Sequence, residues 1–402
     1  MRIAIRVYIR LLSAGIVLLC FLDFANYLNI IIEPLLPKYI YALLMVAAAP
    51  IIVVRWKALS IYSRTHTAIW FYSLAVLDLI HWFVLSAYGN VDAATLTLTR
   101  IQFLLLGLIL GFVLTLSDPR FLAKCFIVTG ILLACLQLLD FGVPGLVVPP
   151  GTEGVIPGHA ASTLVNANKA TESLVLLFIF GAPALKRSYR LWFYGLIFAG
   201  ILVAFSRSGI MIAAMVLGYC FVFKLMSRKS ILLSLLVFVG LLIVAGNIFL
   251  DDLLGFVGLE GMSDISNRIM FFSDPNFSDS SADERLAVAR YAFVEFLRQP
   301  IFGAGSGFTS YWSVSDVSTH NMQLLILAEY GILGYMFLLW LFILMLKGGS
   351  YFKSMDGRYF INLFVLVFSM FTLFTHNMFD FLYWLVAFIL ASHRGFKYYR
   401  SL

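Results

Sequence analysis

The sequence predicts an all-α integral membrane protein of about twelve transmembrane helices, with one large extracytoplasmic loop between helices 9 and 10. Three observations predict it. Of 402 residues, 62% are hydrophobic and 12% charged; mean hydropathy is +0.96; and apolar runs near 20 residues recur between residues 8 and 392. Runs of that length cross a hydrocarbon core of ~30 Å as helices, which satisfy their own backbone polar groups. This composition excludes a soluble globular domain. The net charge of +7 is spread between spans, so it follows topology and gives no reason to expect nucleic acid.

The first span is expected at 11–32, behind Arg2, Arg6 and Arg10. Its apolar stretch exceeds the ~7–15 residues of a signal-peptide core and no small-x-small site follows, so it reads as a retained helix. Further spans follow at 35–54, 67–88, 101–117, 121–139, 170–185, 191–205, 209–226, 230–250, 321–346, 359–376 and 379–392. With both termini cytoplasmic, the cytoplasmic segments hold 20 of the 28 Lys and Arg residues and the outer segments hold 8, as the positive-inside rule requires. Cys20, Cys125, Cys135 and Cys220 all fall in spans and imply neither a disulfide framework nor a metal knuckle.

The whole chain, 1–402, reads as one polytopic domain with two outer segments too long to be turns. The smaller, 140–169, contains Val148-Pro149-Pro150-Gly151 and is expected to be irregular but ordered. The larger, 251–319, contains the capping-box pattern Ser281-Ala282-Asp283-Glu284 ahead of Leu286, Ala289, Phe293, Phe296 and Leu297. That pattern predicts a short amphipathic helix near 282–299, stopped by Pro300 and lying on the membrane surface.

Soluble-enzyme signatures are absent: there is no Walker loop, no His-Glu-x-x-His and no paired Cys or His at metal spacing. Gly303-Ala304-Gly305-Ser306-Gly307 superficially resembles a nucleotide loop, but no strand precedes it and it lies outside, so it reads as a flexible hinge. The chemistry-bearing candidates sit at outer helix ends. Arg207 lies in the short turn Ser206-Arg207-Ser208-Gly209, as either an interfacial anchor or an anion ligand. Arg285 opens the loop helix, where a cation opposes the helix dipole. His320 opens the tenth span, as either a polar cap or a general base, with His159 as its rival. Glu329 is nine residues on and on the opposite face, which argues against a direct partnership with His320. Asp23, Asp78, His81, Glu172 and Glu329 lie within or near spans and should face the bundle interior, as structural hydrogen bonds or as a substrate path.

These pieces resemble one family. Pro300-Ile301-Phe302-Gly303-Ala304-Gly305, then His320-Asn321-Met322-Gln323-Leu324 and Glu329-Tyr330-Gly331, resemble in order and placement the motifs of the O-antigen ligase and polymerase superfamily. Ser206-Arg207-Ser208-Gly209 looks like its S-R-G turn and Glu284-Arg285-Leu286 like its loop-helix arginine. Asn166 and Asn168 resemble, without the usual proline, the stretch before its middle helix.

The resemblance implies a membrane glycosyltransferase of the GT-C type. Its donor would be an undecaprenyl-pyrophosphate-linked glycan. Its acceptor would be a sugar hydroxyl on lipid A-core for a ligase, or on a growing glycan for a polymerase, at the periplasmic face of the inner membrane. It marks His320 as the base and Arg207 and Arg285 as pyrophosphate ligands, with Asn321, Glu329, Lys169 and Arg290 as supporting positions. It implies inversion without a metal or other cofactor, and membrane lipid as a constant partner. A twelve-helix flippase or transporter is the alternative of a different class; no internal symmetry of two halves favours it.

Overall fold

The computed structural model describes residues 2–31, 37–149, 160–227, 280–311, 319–350 and 355–393. Among them the secondary structure is α-helix and short 3-10 turns, with no strand. Seven of these helices are long and apolar enough to cross a membrane: Ala4–Phe21, Pro37–Val54, His66–Ala87, Val91–Leu116, Pro119–Gly142, Met322–Ser350 and Met355–Phe374. The expected span 230–250 and His159 lie outside the described residues. Two compact units emerge, the first comprising Met1–Cys20, Pro37–Leu122 and Ser280–Leu402, the second Phe21–Leu36 and Ala123–Asp279.

In the first unit, α1 (Arg2–Phe21), α3 (Pro37–Val54), α4 (Trp56–Tyr62), α5 (His66–Ala87) and α6 (Val91–Leu116) are followed after a long interval by α11 (Ser280–Arg298), α12 (Met322–Ser350), α13 (Met355–Phe374) and α14 (Leu382–Ser392). Side-chain caps start the helices: Thr65 accepts from Ala68 N and Asn90 from Ala93 N. Small residues set the closest packing. A side chain at Gly107 would meet Leu385, and one at Gly111 would meet Ile389, so α6 and α14 approach as membrane helices do when glycine lines the seam. Leu43, Val46 and Val53 of α3 are exposed, as a surface turned to lipid would be.

The second unit contains α2 (Phe24–Ile31), most of α7 (Pro119–Gly142), α8 (Ala167–Gly181), α9 (Arg187–Val203) and α10 (Arg207–Val222). The described parts of the 140–169 segment are tied down, with Tyr27 Oη donating to Val147 O at 2.6 Å and Ser162 N to Asp140 Oδ2 at 3.1 Å.

Four expectations need correction. The first span is broken after Phe21, where Asp23 adopts a left-handed φ of 45°. Arg100, expected in an outer segment, is the tenth residue of α6 and 2% exposed. The loop helix begins at Ser280, which places Arg285 in its second turn, and it packs through Val288 and Ala292 against Ala328, leaving Leu286, Phe293 and Leu297 exposed.

The fourth correction concerns the glycine-rich segment, which is fixed rather than a hinge. Helix α12 breaks at Gly331, whose φ of 62° and ψ of −157° interrupt the ladder. The groups that the break frees are taken up by the glycine segment. Ala304 N and Gly305 N donate to Ala328 O and Glu329 O at 2.8 and 2.9 Å, while Ile332 N and Leu333 N donate to Pro300 O and Ile301 O at 2.8 and 3.3 Å. A side chain at Gly331 would strike the Pro300 and Ile301 carbonyls, and one at Gly303 would strike the Glu329 backbone. The proline-glycine motif and the Glu-x-Gly motif are thus two halves of one docked structure.

Candidate active site

In the first unit, His320 stands two residues before α12 and is half-buried. The next residue starts the helix: Asn321 Oδ1 accepts from Gln323 N at 3.0 Å and Leu324 N at 3.1 Å. That cap fixes the backbone that carries the imidazole. Burial, and then the nearby Arg285 guanidinium, hold the His320 pKa down at about 4, so the ring is neutral at pH 7 and has a lone pair for a proton. A second imidazole, His376, meets it edge to face, with ring centroids 4.8 Å apart at 82°. Arg285 and Arg290 are both exposed on α11.

Beneath this pair lies a buried charge network. Glu329 is fully buried; its carboxylate accepts from Gly307 N at 2.9 Å, Thr309 N at 3.1 Å and Thr309 Oγ1 at 2.7 Å. Its charge is met by Arg100 Nη1 at 3.2 Å. Arg100 forms a two-pronged pair with Asp380, Nε to Oδ1 at 2.6 Å and Nη2 to Oδ2 at 3.0 Å, and donates from Nη1 to Tyr330 Oη at 2.6 Å. Tyr330 Oη in turn donates to Asp78 Oδ1 at 2.6 Å, and Ser306 N donates to His81 Nδ1 at 3.1 Å. A guanidinium taken out of water needs such dense pairing, because removal of one partner leaves an uncompensated charge. Glu329 is therefore engaged with the glycine loop and Arg100.

In the second unit, the Arg207 turn and the Asn166–Lys169 turn are joined. Ser206 Oγ accepts from Gly209 N at 3.2 Å to cap α10, and donates to Asn168 Oδ1 at 2.7 Å. Asn166 Oδ1 caps α8 by accepting from Asn168 N at 2.9 Å and Lys169 N at 3.3 Å. Gly209 lies so close to Thr171 that no side chain fits there, which lets the two helix starts meet. Arg207 and Lys169 are half-buried in the first turns of their helices.

Of the residues expected from sequence, the first unit brings together His320 and Arg285, and carries Asn321, Glu329 and Arg290. The second unit carries Arg207 and Lys169. Sequence reasoning missed His376, Arg100 and Asp380. One signal could have found the first of these: the tetrapeptide Thr-His-Asn-Met occurs at 319–322 and again at 375–378. Arg100 and Asp380 had no comparable mark, since their pairing spans 280 residues of sequence.

Fold and site define the class: a polytopic all-helical membrane protein in which two imidazoles meet, under the charge of an arginine, at the start of a long helix pinned by a glycine-rich segment. A family model described as O-antigen ligase matches residues 192–339. That match supports the O-antigen ligase and polymerase superfamily, and with it an O-antigen ligase/polymerase-type function with a lipid-linked glycan and a glycan acceptor as general partners. The matched stretch holds Arg207, Arg285, His320, Glu329 and Gly331, and leaves out Arg100, His376 and Asp380. Comparison with curated proteins gives no match.

Proposed function

We propose that this chain is an inverting glycosyltransferase that moves an undecaprenyl-pyrophosphate-linked glycan onto a sugar hydroxyl of lipid A-core, without a metal, at the periplasmic face of the bacterial inner membrane. The architecture assigned to it is of GT-C type with twelve helices and both termini cytoplasmic. The observation that carries this reading is the neutral, half-buried His320 beside Arg285.

In the proposed step, a ring nitrogen of His320 takes the proton of the acceptor hydroxyl as its oxygen attacks the anomeric carbon, and the bond from that carbon to the pyrophosphate breaks on the opposite face. Negative charge grows on the leaving pyrophosphate. Arg285 is assigned to that charge from its place beside His320, and Arg207 from its motif. The pyrophosphate also has a second effect, since its charge offsets that of Arg285 and makes His320 a better base once donor is bound. Lys169, Arg290, Asn321 and Glu329 are assigned supporting roles, the last two through the caps and the loop described above. What separates ligase from polymerase is the acceptor. The Pro-Gly-Glu structure and the two arginines serve either.

The test has two arms. In purified, correctly inserted protein, His320→Ala should lower transfer by ~10² to 10⁴, the usual loss for a general base, with donor binding retained. Near-normal turnover would remove the catalytic role from His320. Deletion in the native host should leave polymer on the lipid carrier; accumulation of single repeats instead would assign polymerase activity.

A further inference from the structure

A second polar site lies in the first unit at the end that carries the amino terminus, away from the glycine loop. Thr97, near the start of α6, touches Ser306 of that loop at 2.7 Å, whereas this site is at the other end of the same helix, beyond Leu116. At ~1.5 Å per residue the two are about 29 Å apart along the helix. The site is a cavity of about 260 Å³ lined by Arg6, Ile9 and Arg10 of α1, Arg55 at the α3–α4 junction, and Leu116, Ser117 and Asp118 at the α6–α7 junction. Its volume greatly exceeds the ~30 Å³ that one water occupies.

Three guanidinium groups and one carboxylate line this cavity, so it carries surplus positive charge. Asp118 is already engaged on both oxygens, Oδ1 accepting from Phe121 N at 3.0 Å and Oδ2 lying 3.8 Å from Arg10 Nη2. Arg10 also stands over the Phe121 ring, 5.8 Å from its centroid. Among the described residues, the Arg6 and Arg55 side chains have no ion pair or hydrogen bond. A second observation is independent of charge: Ser117, which lines the cavity, is 8% exposed, and its buried Oγ has no hydrogen-bond partner. A buried hydroxyl without a partner normally marks a missing one. An anion with several acceptor oxygens would supply both needs.

The surroundings identify which anion. Val7 and Leu11 on α1, Val53 and Val54 on α3, and Trp56 on α4 are exposed beside the cavity residues. Exposed apolar side chains and an exposed indole next in sequence to the cavity arginines suit a ligand that carries an acyl chain on its phosphate. We propose that this cavity binds the phosphodiester headgroup of an anionic membrane phospholipid through Arg6, Arg55 and Ser117 Oγ, with Arg10 held beside it by Asp118. The site is separate from the glycan-transfer reading and stands whether or not that reading holds.

Full-length purified protein in neutral detergent tests this through thermal unfolding with added phosphatidylglycerol, phosphatidylcholine or inorganic phosphate. Phosphatidylglycerol should raise the melting temperature of the native protein in a saturable way, and the other two should not. Arg6→Gln with Arg55→Gln should weaken the apparent affinity by at least about tenfold, since two charge-assisted hydrogen bonds to the phosphate are lost. Ser117→Ala should weaken it less. Lys57→Gln with Arg64→Gln removes the same charge from the same end without touching the cavity, and should change nothing. An equal loss in that control would reduce the effect to general surface attraction and overturn the site. Equal stabilisation by inorganic phosphate would overturn the lipid assignment.

Discussion

At the scale of single residues, the chemistry turns on how the surroundings set one proton. Burial and Arg285 depress the His320 pKa to about 4, so the imidazole is neutral at all pH values above that and is lost as a base only as pH falls through it. The acid limb of kcat/KM should therefore lie near pH 4, well below the ~6.5 of an unperturbed histidine. Arg285→Gln removes the electrostatic cause and leaves the burial, so the limb should move upward while the maximal rate falls; an unmoved limb would separate Arg285 from His320. His376 makes a different prediction. Loss of its ring contact in His376→Ala should reduce kcat about fivefold to tenfold, in line with ~1 kcal/mol for an aromatic pair, and His376→Phe should restore most of it. If Phe and Ala variants are equally impaired, the imidazole acts through its nitrogens rather than by packing.

At the scale of elements, the break in α12 explains why the motifs are spaced as they are. A helix interrupted inside a membrane protein must find other partners for its freed backbone groups, and here the Pro300–Gly305 segment provides them. The left-handed φ at Gly331 costs a β-carbon-bearing residue about 1–3 kcal/mol before any clash with the Pro300 and Ile301 carbonyls is counted. Gly331→Ala should lower the melting temperature measurably in detergent, whereas Gly218→Ala, in open space on α10, should not lower it. If both behave alike, the docking of the two motifs contributes little to stability.

At the scale of the whole molecule, the sequence revealed the membrane class, most of the helices and the order of the motifs, because apolar runs and flanking basic residues report directly on the bilayer. It did not reveal where the polar interior lies. Arg100 read as a loop residue because one cation among Thr and Leu does not disturb a hydropathy average, and only Asp380, Glu329 and Tyr330, brought close by folding, show that it is buried. The glycine segment read as a hinge because composition reports conformational freedom and says nothing of a broken helix waiting to receive it. His376 was hidden by its position at the end of an expected span. The proposed orientation is open to a direct check. With native cysteines replaced, a cysteine at Tyr88, which is 86% exposed at the end of α5, should react with an impermeant reagent in intact spheroplasts, and one at Lys57 should not. The reverse pattern would invert the topology.

The bond between Arg100 and Asp380 also sets an order of events during synthesis. These residues are 280 positions apart, so at the usual ~5–20 residues per second the arginine enters the membrane roughly 14–56 s before its carboxylate exists. Until Glu329 and Tyr330 are made the guanidinium must be held by water, lipid phosphate or the insertion machinery, and until Asp380 follows it lacks its two-pronged partner. The Met378–Asp380 turn ahead of α14 thus completes the pairing that releases the nascent protein from its escorts. A chain stopped just short of Asp380 should insert most of its helices, remain bound to the translocation apparatus and be degraded, and the same chain extended through α14 should not.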